Sequence, residues 1–206
     1  EGKKIILAGG SKAAKINIPG IDSPRVLTSD EMLDLKEVPD KLAVIGGGVI
    51  GVELGSAFRS FGSKVTIIEM MDSLLPGMDS ETVQELSRSL KGMGIKIETG
   101  TKLDRIEEKG DKLTLHLDGG KTLEVDYLLL SIGRVPDMEG VGDLDFDLDK
   151  GKIKVNDQME TSIKGIYAPG DINGIQMLAH SAFKMGEVAA KNALGIDARV
   201  NLKNVP

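Results

Sequence analysis

The apolar run Leu42-Ala43-Val44-Ile45 passes into Gly46-x-Gly48-x-x-Gly51 and then into a stretch with apolar residues at helical spacing. Few arrangements constrain a fold more. Four consecutive apolar residues suit a strand buried on both faces. Ile50, Leu54 and Phe58 recur at i, i+4 and i+8 and predict a helix over 49–61. The glycines between strand and helix permit a tight turn and a close approach of another group to the backbone. A second apolar strand, predicted over 64–69, ends in Glu69, 18 positions after Gly51. Strand, glycine turn, helix, strand and terminal carboxylate make up the fingerprint of a dinucleotide-binding βαβ unit. The helix start would offer unpaired N–H groups and partial positive charge to a pyrophosphate. Glu69 would accept hydrogen bonds from ribose hydroxyls. A structural glycine turn that binds nothing is the alternative, and it leaves Glu69 unexplained. Gly55, four residues beyond Gly51, is expected to give the helix a smooth face against the sheet.

Composition narrows the partners. The 206 residues suffice for one large or two small domains. With aromatic residues at 3% and no Trp, the core must rest on Ile, Leu, Val and Met. A net charge of −6 argues against nucleic acid as a partner. No apolar run approaches the roughly 20 residues of a membrane helix. There is no cysteine and there are only two histidines, so disulfides, thiolate chemistry and a histidine metal cluster are not expected. The chain opens Glu1-Gly2-Lys3-Lys4, with neither Met nor a signal peptide. It reads as a piece of a longer, cytoplasmic protein.

Further along, strands are predicted over 4–7, 95–98 and 127–131, and helices over 28–35, 80–93 and 179–194. Segments 102–107, 112–117 and 122–125 alternate and are separated by Lys109-Gly110-Asp111 and Asp118-Gly119-Gly120, the pattern of an antiparallel meander. His116 lies within it and is expected to be an exposed side chain rather than a ligand. An acidic stretch, 143–149, reads as a solvated connection. Short strands are predicted over 152–155 and 165–168, the second ending at Pro169-Gly170-Asp171. On the last helix Ala182, Met185, Val188 and Ala189 should face a core. The fold class is α/β, a Rossmann-like doubly wound parallel sheet with an antiparallel β-meander.

Several stretches taken together resemble a known family. They are Ile6-Leu7-Ala8-Gly9-Gly10-Ser11, the fingerprint continuing as Gly51-Val52-Glu53-Leu54-Gly55, Leu74-Leu75-Pro76, Ser131-Ile132-Gly133-Arg134-Val135-Pro136, Ile166-Tyr167-Ala168-Pro169-Gly170-Asp171 and Met177-Leu178-Ala179-His180. Their order and spacing are similar to those of the pyridine nucleotide-disulfide oxidoreductases, FAD flavoenzymes, and most like the dihydrolipoamide dehydrogenases among them. The resemblance implies a partial second dinucleotide domain for FAD. It divides the chain into the end of a first FAD-domain segment (1–38), an NAD-binding domain (39–135) and a returning FAD-domain segment (136–206). Gly46, Gly47, Gly48, Val49, Ile50, Gly51, Val52 and Glu53 would cradle the NAD pyrophosphate and approach the nicotinamide. Glu69 would bind the adenine ribose, Leu103 would border the adenine, and Gly133 would touch the cofactor near the domain junction. Asp171 would hold FAD, with Gly10, Ser11, Met177, Leu178, Ala179 and His180 nearby. Gly9 departs from the family, which usually has Thr there. The redox cysteine pair and the His-Glu acid/base pair of the family have no counterparts here, so no catalytic residue and no metal ligand is expected. In the full protein, electrons would pass from dihydrolipoamide through a disulfide and FAD to NAD+, in a homodimer serving lipoyl-bearing complexes. An NADH oxidase or other flavoprotein reductase, or a non-catalytic NAD-binding module, are the alternatives.

Overall fold

The computed structural model describes residues 2–203; Glu1 and residues 204–206, the outer ends of the first and last predicted segments, lie outside them. In chain order the elements are β1 (Ile5–Ile6), β2 (Ser11–Ala13), β3 (Val26–Leu27), α1 (Ser29–Leu33), β4 (Lys41–Ile45), α2 (Val49–Ser60), β5 (Lys64–Ile68), α3 (Ser80–Gly92) and β6 (Lys96–Glu98). They continue with β7 (Leu103–Lys109), β8 (Lys112–Leu117), β9 (Thr122–Val125), β10 (Tyr127–Leu130), β11 (Arg134–Pro136), β12 (Leu148–Asp149), β13 (Lys152–Ile153), β14 (Ile166–Tyr167) and α4 (Ala179–Ala193). The chain forms two compact units, a larger one of Ala13–Gly133 and a smaller one of the residues up to Lys12 and from Arg134 onward. The first crossing therefore falls at 12/13 rather than at 38/39, and the second at 133/134 rather than 135/136.

In the larger unit five strands form a parallel sheet in the order β3-β10-β4-β5-β6. Beyond Lys41, Lys64 and Thr66 its central strands are apolar because both faces are covered, and the side chains sort with period two. Leu42, Val44, Val65, Ile67 and Leu129 pack on the helical side with Phe58, Val83 and Leu90. Ala43, Ile45, Ile68, Leu128 and Leu130 pack on the other side against Ile106, Leu113 and Leu115 of the meander. The meander β7-β8-β9 is antiparallel, as its turn signatures require, and takes the face where a doubly wound sheet carries its second helix layer. Residues 13–38 belong here because β3 pairs with β10, and Ile16, Ile18 and Ile21 pack against the meander core. On α2 the buried residues are Gly51, Val52, Gly55 and Phe58; Ile50 is only half-buried, so the packed face is rotated from the predicted Ile50-Leu54-Phe58 stripe.

In the smaller unit β1 pairs in parallel with β14, β11 with β2, and β12 with β13. Met185, Val188 and Ala189 of α4 pack with Met159 and Tyr167, while Ser181 rather than Ala182 is the fourth buried position. No helix among the described residues is long and apolar enough to cross a membrane.

Candidate dinucleotide-binding site

Strand order locates the site. From β4 the chain passes through α2 to β5 on one side, while β10 lies on the other side of β4. In open α/β sheets such a switch of strand order is where ligands bind, at the carboxyl ends of the two strands. Residues 46–48 follow β4 and Ser131 follows β10, so the glycine turn stands at this switch point.

The glycines of the turn have different jobs. A Cβ on Gly46, whose φ is +105°, would lie 2.4 Å from the Ser131 carbonyl oxygen. A Cβ on Gly51 would lie 2.1 Å from the Gly46 carbonyl oxygen and 2.7 Å from Ser131 Oγ. One on Gly47 would strike Leu74 at 2.5 Å. These three close the turn on itself. Gly48 is the exception: a Cβ there meets nothing within 4 Å. It is also the N-cap of α2, which has no side-chain cap and no acidic residue in its first turn. A helix start leaves its first N–H groups without intrahelical partners. The open side of the turn thus carries unfilled donors, partial positive charge and room for a group that must come close to the backbone. These are the features a pyrophosphate needs.

Glu69 borders this turn. It is only 8% exposed, and its carboxylate is fixed on both oxygens. Gly47 N–H donates to Oε2 at 2.6 Å and Met71 N–H to Oε1 at 2.7 Å. Each carboxylate oxygen can accept more than one hydrogen bond, so capacity remains for a ribose diol. The following loop is tied to the same place. Leu74 is 1% exposed beneath Gly47, and Leu75 N–H donates to the Gly47 carbonyl at 2.9 Å. Ser131 also serves the turn: its hydroxyl lies 3.1 Å from the carbonyl oxygens of both Ile45 and Gly46. In the sequence Ser131 stands only as the first residue of a motif; its role follows from β10 lying beside β4, which no spacing reveals.

The remaining residues expected around the cofactor divide. Val49 and Ile50 present backbone at the open helix start, with Val49 exposed. Val52 is buried in the helical-side core and is a packing residue. Glu53 is exposed and lies beyond the first turn of α2, so it does not act as a first-turn carboxylate. Leu103 is 4% exposed among the meander leucines, so its side chain serves the core. Gly133 is exposed at φ +115° with open space at its Cβ position.

The smaller unit holds the second set. Ser11 Oγ donates to Asp171 Oδ2 at 2.6 Å, and Arg134 donates through Nε to Ser11 Oγ at 2.8 Å and through Nη2 to the Ser11 carbonyl at 2.6 Å. Arg134 was not expected as a participant. Asp171 opens a 3-10 turn after Gly170 and is half-buried, with Oδ1 left to accept. Gly10 precedes Ser11 with open space at its Cβ position. At Gly9 a Cβ would lie 2.9 Å from the Asp137 carbonyl, so the threonine expected of the family would not fit this backbone. Met177 is half-buried, whereas Leu178, Ala179 and His180 are exposed at the start of α4, which has no side-chain cap. Ser181, in the first turn of that helix, is fully buried, and its hydroxyl has no partner among the described residues. An uncapped helix start, an orphaned hydroxyl and a half-committed carboxylate fit a ligand that carries hydroxyl and carbonyl groups, as FAD does.

His116 is half-buried rather than exposed, between Arg105 and Glu107. Among the described residues no group of His, Cys, Asp or Glu could hold a metal ion. Two cavities of about 370 and 390 Å³ lie in the larger unit, one by Lys41, Lys64 and Lys96, the other by Lys15, Ser23 and Leu130. Neither includes the glycine turn or Glu69.

Comparison with known proteins shows the family of the chain. The profile of the family described as "Pyridine nucleotide-disulphide oxidoreductase" matches residues 1–186. A dihydrolipoyl dehydrogenase of Acholeplasma laidlawii is 41% identical over 199 residues, covering 94% of this chain and 59% of that protein. The mercuric reductase of Bacillus cereus is 35% identical, covering 99% of this chain and 33% of its own. The Cu(II) complex of the flavoprotein disulfide reductase RclA from Escherichia coli superposes with a TM-score of 0.90 at 31% identity, over 96% of this chain and 46% of that one. The chain thus spans a third to three-fifths of the length of these relatives.

Proposed function

Because the chain belongs to the pyridine nucleotide-disulphide oxidoreductase family, we propose that its larger unit binds NAD(H) and that its smaller unit supplies part of the FAD site of a dihydrolipoyl dehydrogenase. The observation that carries this reading is the contrast at the turn: three glycines are sealed by their neighbours, while Gly48 stands open at an uncapped helix start beside Glu69. The N–H groups at the start of α2 hold the pyrophosphate. Glu69, kept in place by the Gly47 and Met71 N–H groups, accepts from the adenine ribose and orients it. Asp171 accepts from a hydroxyl of FAD, and Arg134 keeps Ser11 and Asp171 in register. When bound, FAD would relay electrons as hydride to NAD+. This chain contains no cysteine, so the disulfide that takes electrons from a dihydrolipoyl substrate would come from residues outside it. A homodimer that serves lipoyl-bearing complexes is the corresponding assembly.

The test is cofactor preference. A 2′-phosphate would be repelled by Glu69, and Met70 and Met71 bring no compensating charge. Calorimetric titration should show NADH binding more tightly than NADPH. Tighter binding of NADPH would overturn the assignment.

A further inference from the structure

We propose that Met70 and Met71 are an oxidation-sensitive modification site, at which conversion of the thioethers to sulfoxides by a hydroperoxide weakens NAD(H) binding. This rests on the nucleotide site proposed above. Solvent-exposed thioethers oxidise where buried ones do not. Met70 and Met71, the two residues after Glu69, are 64% and 50% exposed, and Met78 on the same loop is 57% exposed. Met32, Met159 and Met185 are buried.

The position of Met70 and Met71 makes their oxidation consequential. Met71 N–H donates to Glu69 Oε1 at 2.7 Å, and the Met71 carbonyl accepts from Gly100 N–H at 2.9 Å. The backbone of this segment is therefore pinned against the carboxylate and cannot retreat. Leu74 and Leu75 anchor the other end of the loop on Gly47. A sulfur lone pair attacks one peroxide oxygen, the O–O bond breaks as the S–O bond forms, and the departing hydroxide takes the proton and leaves as water. Methionine loses two electrons and the peroxide gains them. The product has a strongly dipolar oxygen in place of an apolar thioether. Next to Glu69 in the chain, this exchanges exposed apolar surface for a polar group. It also adds a second hydrogen-bond acceptor where the carboxylate already needs the ribose donors. Met78 stands nine residues after Glu69 on the same loop, its N–H bonded to the Leu75 carbonyl, and serves as the comparison.

The experiment treats the purified chain with hydrogen peroxide, maps sulfoxides by peptide mass spectrometry, and measures NADH binding by calorimetry before and after. Sulfoxides at Met70 and Met71 should accompany a several-fold loss of NADH affinity. Methionine sulfoxide reductase with a thiol reductant should restore it. The double variant Met70→Leu, Met71→Leu should bind NADH equally before and after peroxide, whereas Met78→Leu should lose affinity as the parent does. Equal affinity with both methionines oxidised, or a loss that persists in the double variant, would overturn the inference. Absence of NADH binding before any oxidation would instead overturn the nucleotide site itself.

Discussion

The sorting of the glycines gives a sharp test, because two substitutions a few residues apart should fail in opposite ways. Gly51→Ala puts a methyl group 2.1 Å from the Gly46 carbonyl oxygen and 2.7 Å from Ser131 Oγ. Ordinary carbon–oxygen contact is about 1 Å longer, and the first obstacle is backbone, so α2 must move away from the turn. Overpacking of this kind costs about 3 kcal/mol, the upper part of its usual range. At this chain length that lowers the melting temperature by roughly 6–12 °C. Gly48→Val meets nothing within 4 Å, and its φ of −73° and ψ of −176° suit any residue. The expected cost to the fold is only about 1 kcal/mol, for a poorer N-cap. Its side chain, however, occupies the space from which a pyrophosphate must approach. Urea denaturation and NADH calorimetry on both variants separate the effects: Gly51→Ala should lose stability, whereas Gly48→Val should stay folded and lose binding. Undiminished NADH binding by folded Gly48→Val, or a Gly51→Ala variant as stable as its parent, would refute the reasoning.

Gly55→Ala should be neutral or stabilising by up to about 1 kcal/mol in urea, because helix interiors favour alanine; its Cβ would sit 3.5 Å from Ile67 and Val65 and 3.6 Å from Val44, ordinary contact. A clear loss of stability would show that the close approach of α2 needs both glycines. Asp126 accepts from Lys41 N–H at 2.8 Å and from the Lys112 ammonium. Burial pushes its carboxyl up, but Lys112 and the Lys41 N–H outweigh this and hold it below the usual range. Its stabilisation is thus full above the unfolded value of about 3.9 and is lost as pH falls through the lower folded value. Asp126→Asn should cost about 1–3 kcal/mol at pH 7, with a gap from the parent that narrows below about pH 4; an equal gap at pH 7 and in strong acid would contradict it. The purified chain should be colourless and inert toward lipoamide with NADH, since it has no cysteine; a flavin band in its visible spectrum would show that the smaller unit retains FAD unaided.

The βαβ unit was legible because each of its parts is local. A double-sided strand, a glycine turn, a helical period and a strand-end carboxylate each mark the sequence within a few residues. The meander was legible for the same reason, its turns falling at Gly110 and at Gly119 and Gly120. What escaped depends on residues far apart in the chain. The place of residues 13–38 is set by β3 pairing with β10, a hundred residues later. The irregular, proline-containing stretch before β3 has no period that would announce Ile16, Ile18 and Ile21 as core. Ser131, Leu74 and Arg134 matter through what they touch, respectively the Gly46 carbonyl, the Cβ position of Gly47, and Ser11. On α2 the period gave the helix and two of its packed residues, Leu54 and Phe58, but Val52 rather than Ile50 is buried, on the side of Gly51 and Gly55.

Helix capping ties the two units to one physical scheme. At α1 the Glu31 carboxylate accepts from Thr28 N–H, and at α3 Asp79 accepts from Thr82 N–H, so each of these starts is served by its own chain. Both carboxyls are held below their usual range, chiefly by those backbone hydrogen bonds. The starts of α2 and α4 have neither a side-chain cap nor an acidic residue in the first turn. A cap contributes about 0.5–2 kcal/mol, and a chain that caps two helices has the means to cap four. The uncapped starts are the two that stand beside a carboxylate already held by other groups, Glu69 by Gly47 and Met71, and Asp171, close before α4, by Ser11. A capping side chain would fill the donors that a phosphate or a flavin carbonyl needs. On the function proposed above, leaving them open costs the chain stability at two helices and keeps those donors for a dinucleotide.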